Sequence, residues 1–250
     1  MSGARSAPPT LRPRARGSTV TPVSAVLSAA QDQRGIGPDP LAAPADVLAS
    51  ERIGIVGAGK LGMALARAAL AAGYEVAVAS SGPAERIALS VDVLAPGAAA
   101  WTVEEVVEFA DLIVLAIPAH RFRELPGDLL DGKIVVDAMN YWPDTDGDDH
   151  ELATADGGSS VVVQAHFPAA RVVKSLNQLG YHELDEYPRP PGAPDRIAVA
   201  AVGDDRLAVR TVMHLVDRLG FDPVDGGPLA KGKLLEPDGS PYAETFSADA

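Results

Sequence analysis

The chain has no cysteine. Disulfides, thiolate nucleophiles and cysteine-ligated metals are therefore excluded. Basic residues are scarce too: 21 Lys and Arg face 34 Asp and Glu, a formal net charge of −13. That balance argues against a general nucleic-acid surface and against an anionic membrane as partner. No apolar run approaches the roughly 20 residues of a spanning helix. Aromatic residues make up only 5%. None of the five tyrosines has a lysine four residues on, and G-x-S-x-G and H-E-x-x-H are absent. The five histidines are scattered, so no metal site is expected. No acid–base constellation emerges, and no catalytic residue is singled out.

What is present begins with 47% hydrophobic residues over 250 positions, enough for one large domain or a domain plus an appendage. Residues 1–50 differ from the rest. Arg5, Arg12, Arg14, Arg16 and Arg34 face only Asp32 in the first 34 positions, and prolines recur. The best apolar stretch, from Val20 to Ala30, is broken by Thr21, Pro22, Ser24 and Ser28, which argues against a signal peptide. An arginine- and serine-rich transit peptide is the alternative, and a disordered tail, or an extension read from an upstream start codon, is the expectation. The protein is expected to be cytoplasmic. The folded part is expected to span residues 51–235, with 236–250 as a short C-terminal tail.

The informative stretch runs from Arg52 to Gly73. A short apolar strand, Ile53–Val56, leads into Gly57-Ala58-Gly59-Lys60-Leu61-Gly62, a G-x-G-x-x-G, and an amphipathic run then stops at Gly73. Strand, glycine turn and helix start stand in the order that a dinucleotide needs. The first glycine allows the tight turn, the second lets backbone approach a pyrophosphate, and the third lets the helix pack on the strand. The unpaired N–H groups of the helix start face the phosphates. An ordinary glycine turn of another α/β protein is the alternative.

The second strand, Tyr74–Ala79, ends in Ser80-Ser81-Gly82. NAD-preferring sites carry a carboxylate there for the ribose 2′-hydroxyl. Serine hydroxyls, with Arg86 a few residues on, suit a 2′-phosphate instead, so NADP is the expected cofactor. A plain surface turn is the alternative.

Further along, Pro83–Ser90 reads as a short helix and Thr102-Val103-Glu104-Glu105 as a capping box. Leu112–Ile117 is a continuous apolar strand stopped by Pro118, with His120 next. Phe122–Leu130 reads as partly helical. Lys133–Met139 is a strand ending at Asn140, and the acidic stretch 144–158 reads as a solvated loop without calcium spacing. Ser159–Phe167 starts like a capped helix. Arg171–Leu176 is a strand leading to Asn177, and 181–195 is a proline-rich loop. Ile197–Val202, a helix from Asp205 to Leu219 with Asp204 as its cap, and Phe221–Asp225 complete the pattern. The sum is an α/β fold: a doubly wound, mostly parallel, Rossmann-like sheet whose strand ends at 57, 80, 118, 140 and 176 share one rim. His120 sits by a nicotinamide or caps the next helix. Lys174 is a buried paired lysine, an edge residue or a ligand.

Gly57–Gly62 with its helix, Ala116-Ile117-Pro118, Lys133–Asn140, Arg171-Val172-Val173-Lys174-Ser175-Leu176-Asn177 and Val202-Gly203-Asp204-Asp205 together resemble the NADP oxidoreductases that use the deazaflavin coenzyme F420. The likeness covers roughly residues 52–235. It implies a Rossmann-like domain passing hydride between NADP and a deazaflavin. It places the nucleotide on Gly57, Ala58, Gly59, Lys60, Leu61 and Gly62, and the 2′-phosphate on Ser80, Ser81 and Arg86. Ile117 and Pro118 become the nicotinamide wall, and Asn140, Ser175 and Asn177 bound the redox pocket. The family's arginine after the first serine is Ser81 here, and its C-terminal helices, which close the pocket and pair subunits as a homodimer, are replaced by EPDGSPYAETFSADA. Two other functions remain open: an NADP-sensing or scaffold protein without activity, and a small keto or imino reductase.

Overall fold

Alternation of short apolar runs with amphipathic ones produces an eight-stranded sheet in the order β3-β2-β1-β4-β5-β6-β7-β8. A computed structural model describes residues 51–237 of the chain. The strands are β1 (Arg52–Val56), β2 (Glu75–Ala79), β3 (Ala99–Ala100), β4 (Leu112–Leu115), β5 (Ile134–Asp137), β6 (Arg171–Lys174), β7 (Ala198–Gly203) and β8 (Asp222–Gly227). The longer helices are α1 (Lys60–Ala71), α2 (Glu85–Leu94), α3 (Val103–Phe109), α6 (Ser159–His166) and α8 (Arg206–Arg218); α4 (Pro143–Asp146), α5 (His150–Thr154) and α7 (Tyr181–Glu186) are short. All residues of β4 and β5 are buried, because helices cover both faces of the sheet. One face packs Ile53, Ile55 and Val114 under α1 and α8; the other packs Ile113, Leu115 and Val135 with Phe122 and Phe167.

The first six strands in the order run parallel, so their carboxyl ends lie on one rim. After β1 the chain winds outward through β2 and β3, then crosses to β4 on the other side of β1. The crevice at that reversal is where open α/β sheets take ligands. β7 reverses direction and pairs antiparallel to β6, and β8 runs parallel to β7. Only Val173 and Lys174 pair with β7 through backbone register, opposite Gly203 and Val202. Gln178 extends the junction with its side chain, accepting from the Ala200 N–H at 3.0 Å and donating to the Ala200 carbonyl at 3.3 Å.

The capping box at Thr102 and Glu105 is present. Elsewhere local structure departs from the sequence expectation. The acidic stretch 144–158 is not one loop. Pro143 sits at the start of α4, and Asp149 accepts from the Leu152 N–H to cap α5. The proline-rich 181–195 segment opens with α7, because Glu183 reaches back to the Gly180 N–H. Asp205, not Asp204, caps α8; Asp204 instead accepts from the Leu229 N–H. α2 runs four residues past its expected end, leaving Leu89 and Val93 exposed. The tail expected from 236 is preceded by a 3₁₀ strap, Leu229–Leu235, that the sequence reading missed. Calls on residues 1–50 and 238–250 lie outside the described residues.

Two arginines tie early and late parts of the chain together. Arg67 on α1 forks onto Asp185 at 3.0 and 2.6 Å and donates to the Leu94 carbonyl at 3.0 Å. Arg218 at the end of α8 donates to the Ala72 carbonyl at 2.5 Å and covers the Tyr74 ring at 3.9 Å. That contact satisfies a carbonyl at the open C-terminal end of α1.

Candidate dinucleotide site

The parallel register gathers the candidate residues. Gly57 donates its N–H to the Ala79 carbonyl at 2.8 Å, so the glycine turn abuts the Ser80 turn. Ala116 donates to the Val56 carbonyl at 2.8 Å, which sets Ala116 and Ile117 on the other side. The three glycines do different work. Gly57 has φ +131°, and a Cβ there would lie 2.2 Å from the Ala116 carbonyl oxygen. A Cβ on Gly62 would lie 1.8 Å from the Gly57 carbonyl oxygen, so close packing requires glycine at that position too. A Cβ on Gly59 would meet nothing within 4 Å. Glycine at 59 is thus not demanded by protein packing, and the space beside it suits an approaching diphosphate.

Gly59 is the cap residue of α1; it makes no side-chain capping bond, and no acidic residue occupies the first turn. The N–H groups of Lys60, Leu61 and Gly62 precede the first intrahelical bond, from Met63 to Gly59. Unpaired donors and the helix dipole make this end attractive to an anion.

At the end of β2, Ser80 is half-buried while Ser81 and Arg86 are exposed. Gly82 has φ +112°, and the Arg86 guanidinium folds back to within 3.3 Å of where its Cβ would stand. Arg86, in the first turn of α2, therefore folds back over the turn that Ser80, Ser81 and Gly82 make. Ile117 is half-buried and Pro118 exposed beyond β4. His120 is exposed and paired through Nδ1 with Asp146 at 2.7 Å.

The β5–β6 end of the rim is more closed. Asn177 Nδ2 donates to Asn140 Oδ1 at 3.0 Å, and Asn140 Nδ2 donates to the Asn177 carbonyl at 2.9 Å. Asn177 Nδ2 also donates to the Leu235 carbonyl at 2.6 Å. Asn177 Oδ1 is buried with no partner. The preceding Leu176 has φ +63°, a left-handed conformation unusual for leucine. Ser175 is fully buried and donates to the Ala200 carbonyl at 2.9 Å.

Beneath lies a buried polar set that the sequence reading did not assemble. Lys174 donates to the Met139 carbonyl at 2.8 Å and stands 3.6 Å from Asp137 Oδ2. Asp137 accepts from the Ser160 hydroxyl at 2.5 Å and the Met139 N–H at 3.0 Å. These bonds hold the backbone leading to Asn140. The strap closes over the set: Gly232 lies against the Lys174 stem, and Glu236 Oε1 accepts from Ser159 N at 2.6 Å and Oγ at 2.7 Å. Gly158 seats the strap, since a Cβ there would lie 2.7 Å from the Lys233 nitrogen. Among the described residues, no group of three His, Asp or Glu is placed to hold a metal. No described helix is long and apolar enough to cross a membrane.

Tyr181 was also missed. Its ring stands 5.2 Å from the Lys60 ammonium, beside the glycine turn. The only sequence signal was G-Y-H-E, a glycine followed three residues later by glutamate, which marks a helix start.

Residues 52–141, β1 through the end of β5, match the family model of the coenzyme F420-dependent NADP oxidoreductases. Over that segment the chain is similar to this family. Metalloreductase STEAP3 of Rattus norvegicus is 30% identical over 188 residues, which are 74% of this chain and 36% of that protein. The chain spans between a third and two fifths of the length of the curated relatives it matches, 36% and 39%. A crystal structure of the hypothetical protein SMa0349 from Sinorhizobium meliloti superposes with a TM-score of 0.67 at 28% identity, covering 78% of this chain and 94% of the other. An F420-dependent NADP-reductase, so described, from Arthrobacter sp. FB24 shares the fold: TM-score 0.58, 24% identity, 72% of this chain and 87% of the other.

Proposed function

We propose that the protein binds NADP(H) at the β1–β4 crevice and passes hydride between it and a small planar acceptor, of which a deazaflavin such as coenzyme F420 is the leading choice. The open space at Gly59, set against the closed space at Gly57 and Gly62, is the observation that carries this reading. In it, the N–H groups of Lys60, Leu61 and Gly62 hold the diphosphate. Ser80, Ser81 and Arg86 hold the 2′-phosphate, with no carboxylate at the end of β2 to repel it. Ile117 and Pro118 wall the nicotinamide, and Asn140, Ser175 and Asn177 frame the acceptor side. The bound nicotinamide supplies the hydride chemistry. The protein's part is alignment, and ring-to-ring hydride transfer needs little more.

A second reading, an NADP-binding sensor or scaffold, has one observation in its favour. Asn140 and Asn177 are bonded to each other, and Asn177 also to the strap, so part of their hydrogen-bonding capacity is already used within the protein. Titration with NADPH, followed by NADPH oxidation with and without a deazaflavin, separates the two. Binding with deazaflavin-dependent oxidation supports the first reading. Binding without turnover of any acceptor supports the second, and absence of binding removes both.

A further inference from the structure

We propose that Tyr181 is a positioning residue of the dinucleotide site, holding the Lys60 ammonium in place to meet the diphosphate. This rests on the NADP-site reading above.

Lys60 is the first residue of α1, exposed, at the uncapped end where an anion would sit. A flexible ammonium placed there needs holding. A carboxylate partner would hold it but cancel its charge and repel the diphosphate. An aromatic ring holds it through the quadrupole and leaves the charge available to the ligand. The structure has the ring: Tyr181, 5.2 Å from Lys60 Nζ.

The ring is itself fixed. Tyr181 is half-buried against the same core cluster that Ala58 and Leu61 of the glycine turn and Ala116 at the β4 end also pack against. Gly180 is anchored by Glu183, so α7 starts at a defined place. One turn on, Asp185 is forked by Arg67 of α1, which fastens α7 along the helix that carries Lys60. Tyr181 thus reaches the β1 side of the rim from a segment that follows β6.

The test is a double-mutant cycle on the full chain, with NADPH affinity read by calorimetry at low and high salt. Tyr181→Leu is expected to weaken binding about two- to fivefold, the size of an exposed cation–π contact. Tyr181→Phe keeps the ring and is expected to bind like wild type. Lys60→Ala is expected to weaken binding and to flatten its salt dependence. In the Lys60→Ala background, Tyr181→Leu is expected to change nothing further. Equal losses from Tyr181→Leu with and without Lys60 would overturn the proposal and assign the ring to packing. So would wild-type affinity in Tyr181→Leu, or failure of Tyr181→Phe to preserve binding. In each of those cases wild type still binds NADPH and the site reading stands. A wild type that does not bind removes the site reading, and this proposal with it.

Discussion

Asn140 and Asn177 clasp each other across the ends of β5 and β6, amide to amide at 3.0 Å and amide to backbone at 2.9 Å. Asn177 gives donors to two oxygens, Asn140 Oδ1 and the Leu235 carbonyl, so an aspartate at 177 would set three acceptors together. Asn177→Asp is therefore expected to be less stable than Asn177→Ala. The alanine variant loses two bonds but also removes the orphan Oδ1, a net cost of about 1 kcal/mol. Urea midpoints rank the three proteins; an aspartate variant above the alanine variant would contradict the geometry.

The glycine turn yields a contrast between neighbours. Gly59→Val is expected to keep its thermal midpoint and lose NADPH affinity, because its side chain meets only ligand space. Gly62→Ala is expected to lower the midpoint outright, since its Cβ would overlap the Gly57 carbonyl. Circular dichroism melts and calorimetric titrations on both variants check this. A Gly59→Val protein that binds normally would remove the pyrophosphate assignment.

Cofactor choice follows from the β2 turn. Hydrogen bonds to a charged phosphate contribute about 1.5–3 kcal/mol, so NADPH is expected to bind roughly ten- to a hundredfold more tightly than NADH. Ser80→Asp is expected to reverse the order through repulsion and a new ribose acceptor. Arg86→Ala is expected to act modestly, because the side chain is exposed and screened. Paired dissociation constants at fixed salt decide it; equal wild-type affinities would reduce Ser80-Ser81 to a turn.

Lys174 and Asp137 form a fully buried pair. Removing one partner leaves a charge without its counter-ion, so Lys174→Met is expected to cost about 3–5 kcal/mol, or roughly 6–20 °C in Tm. Asp137→Asn added to it removes the orphan charge while keeping an acceptor for the Met139 N–H. The double variant is expected to be more stable than Lys174→Met alone, as differential scanning calorimetry would show.

His214 on α8 gives the expected pH dependence. Burial holds its imidazole below the ordinary value of 6.5, with Arg218 adding to burial and Asp217 opposing it. The unfolded chain therefore takes up the proton first as the solution is acidified. The stability from neutral His214 is present above 6.5 and is lost as pH falls through the lower folded value. Replacement by Gln is expected to flatten the urea-stability profile over that interval. Glu105, depressed by the Thr102 backbone, and Asp111, depressed by Arg52, lose their contributions at more acid pH.

The parts legible in the sequence were those written in local chemistry. Strand, glycine turn and helix at 52–73 follow from residue order, and Thr102 with Glu105 marks its helix directly. The buried strands read as apolar runs. Contacts between distant segments left no such trace. Ser160, Asp137 and Lys174 meet only because β5, β6 and α6 converge, and nothing at any one position announces it. Tyr181 and Glu236 were hidden likewise, each acting on a partner from another part of the chain. Asp204 shows a nearer failure: two adjacent aspartates were both fit to cap, and tertiary contact with Leu229 decided between them.

The bond from Arg218 to Ala72 spans 146 residues. A ribosome delivers the chain from its amino end, so the glycine turn, α1 and β2 all emerge long before the guanidinium that closes the end of α1. The matched family segment, 52–141, also lacks both Asp185 and Arg218. Until α8 is made, the Arg218 contacts with the Ala72 carbonyl and the Tyr74 ring cannot form. A chain stalled before α8 is therefore expected to be cut by protease near residues 72–74.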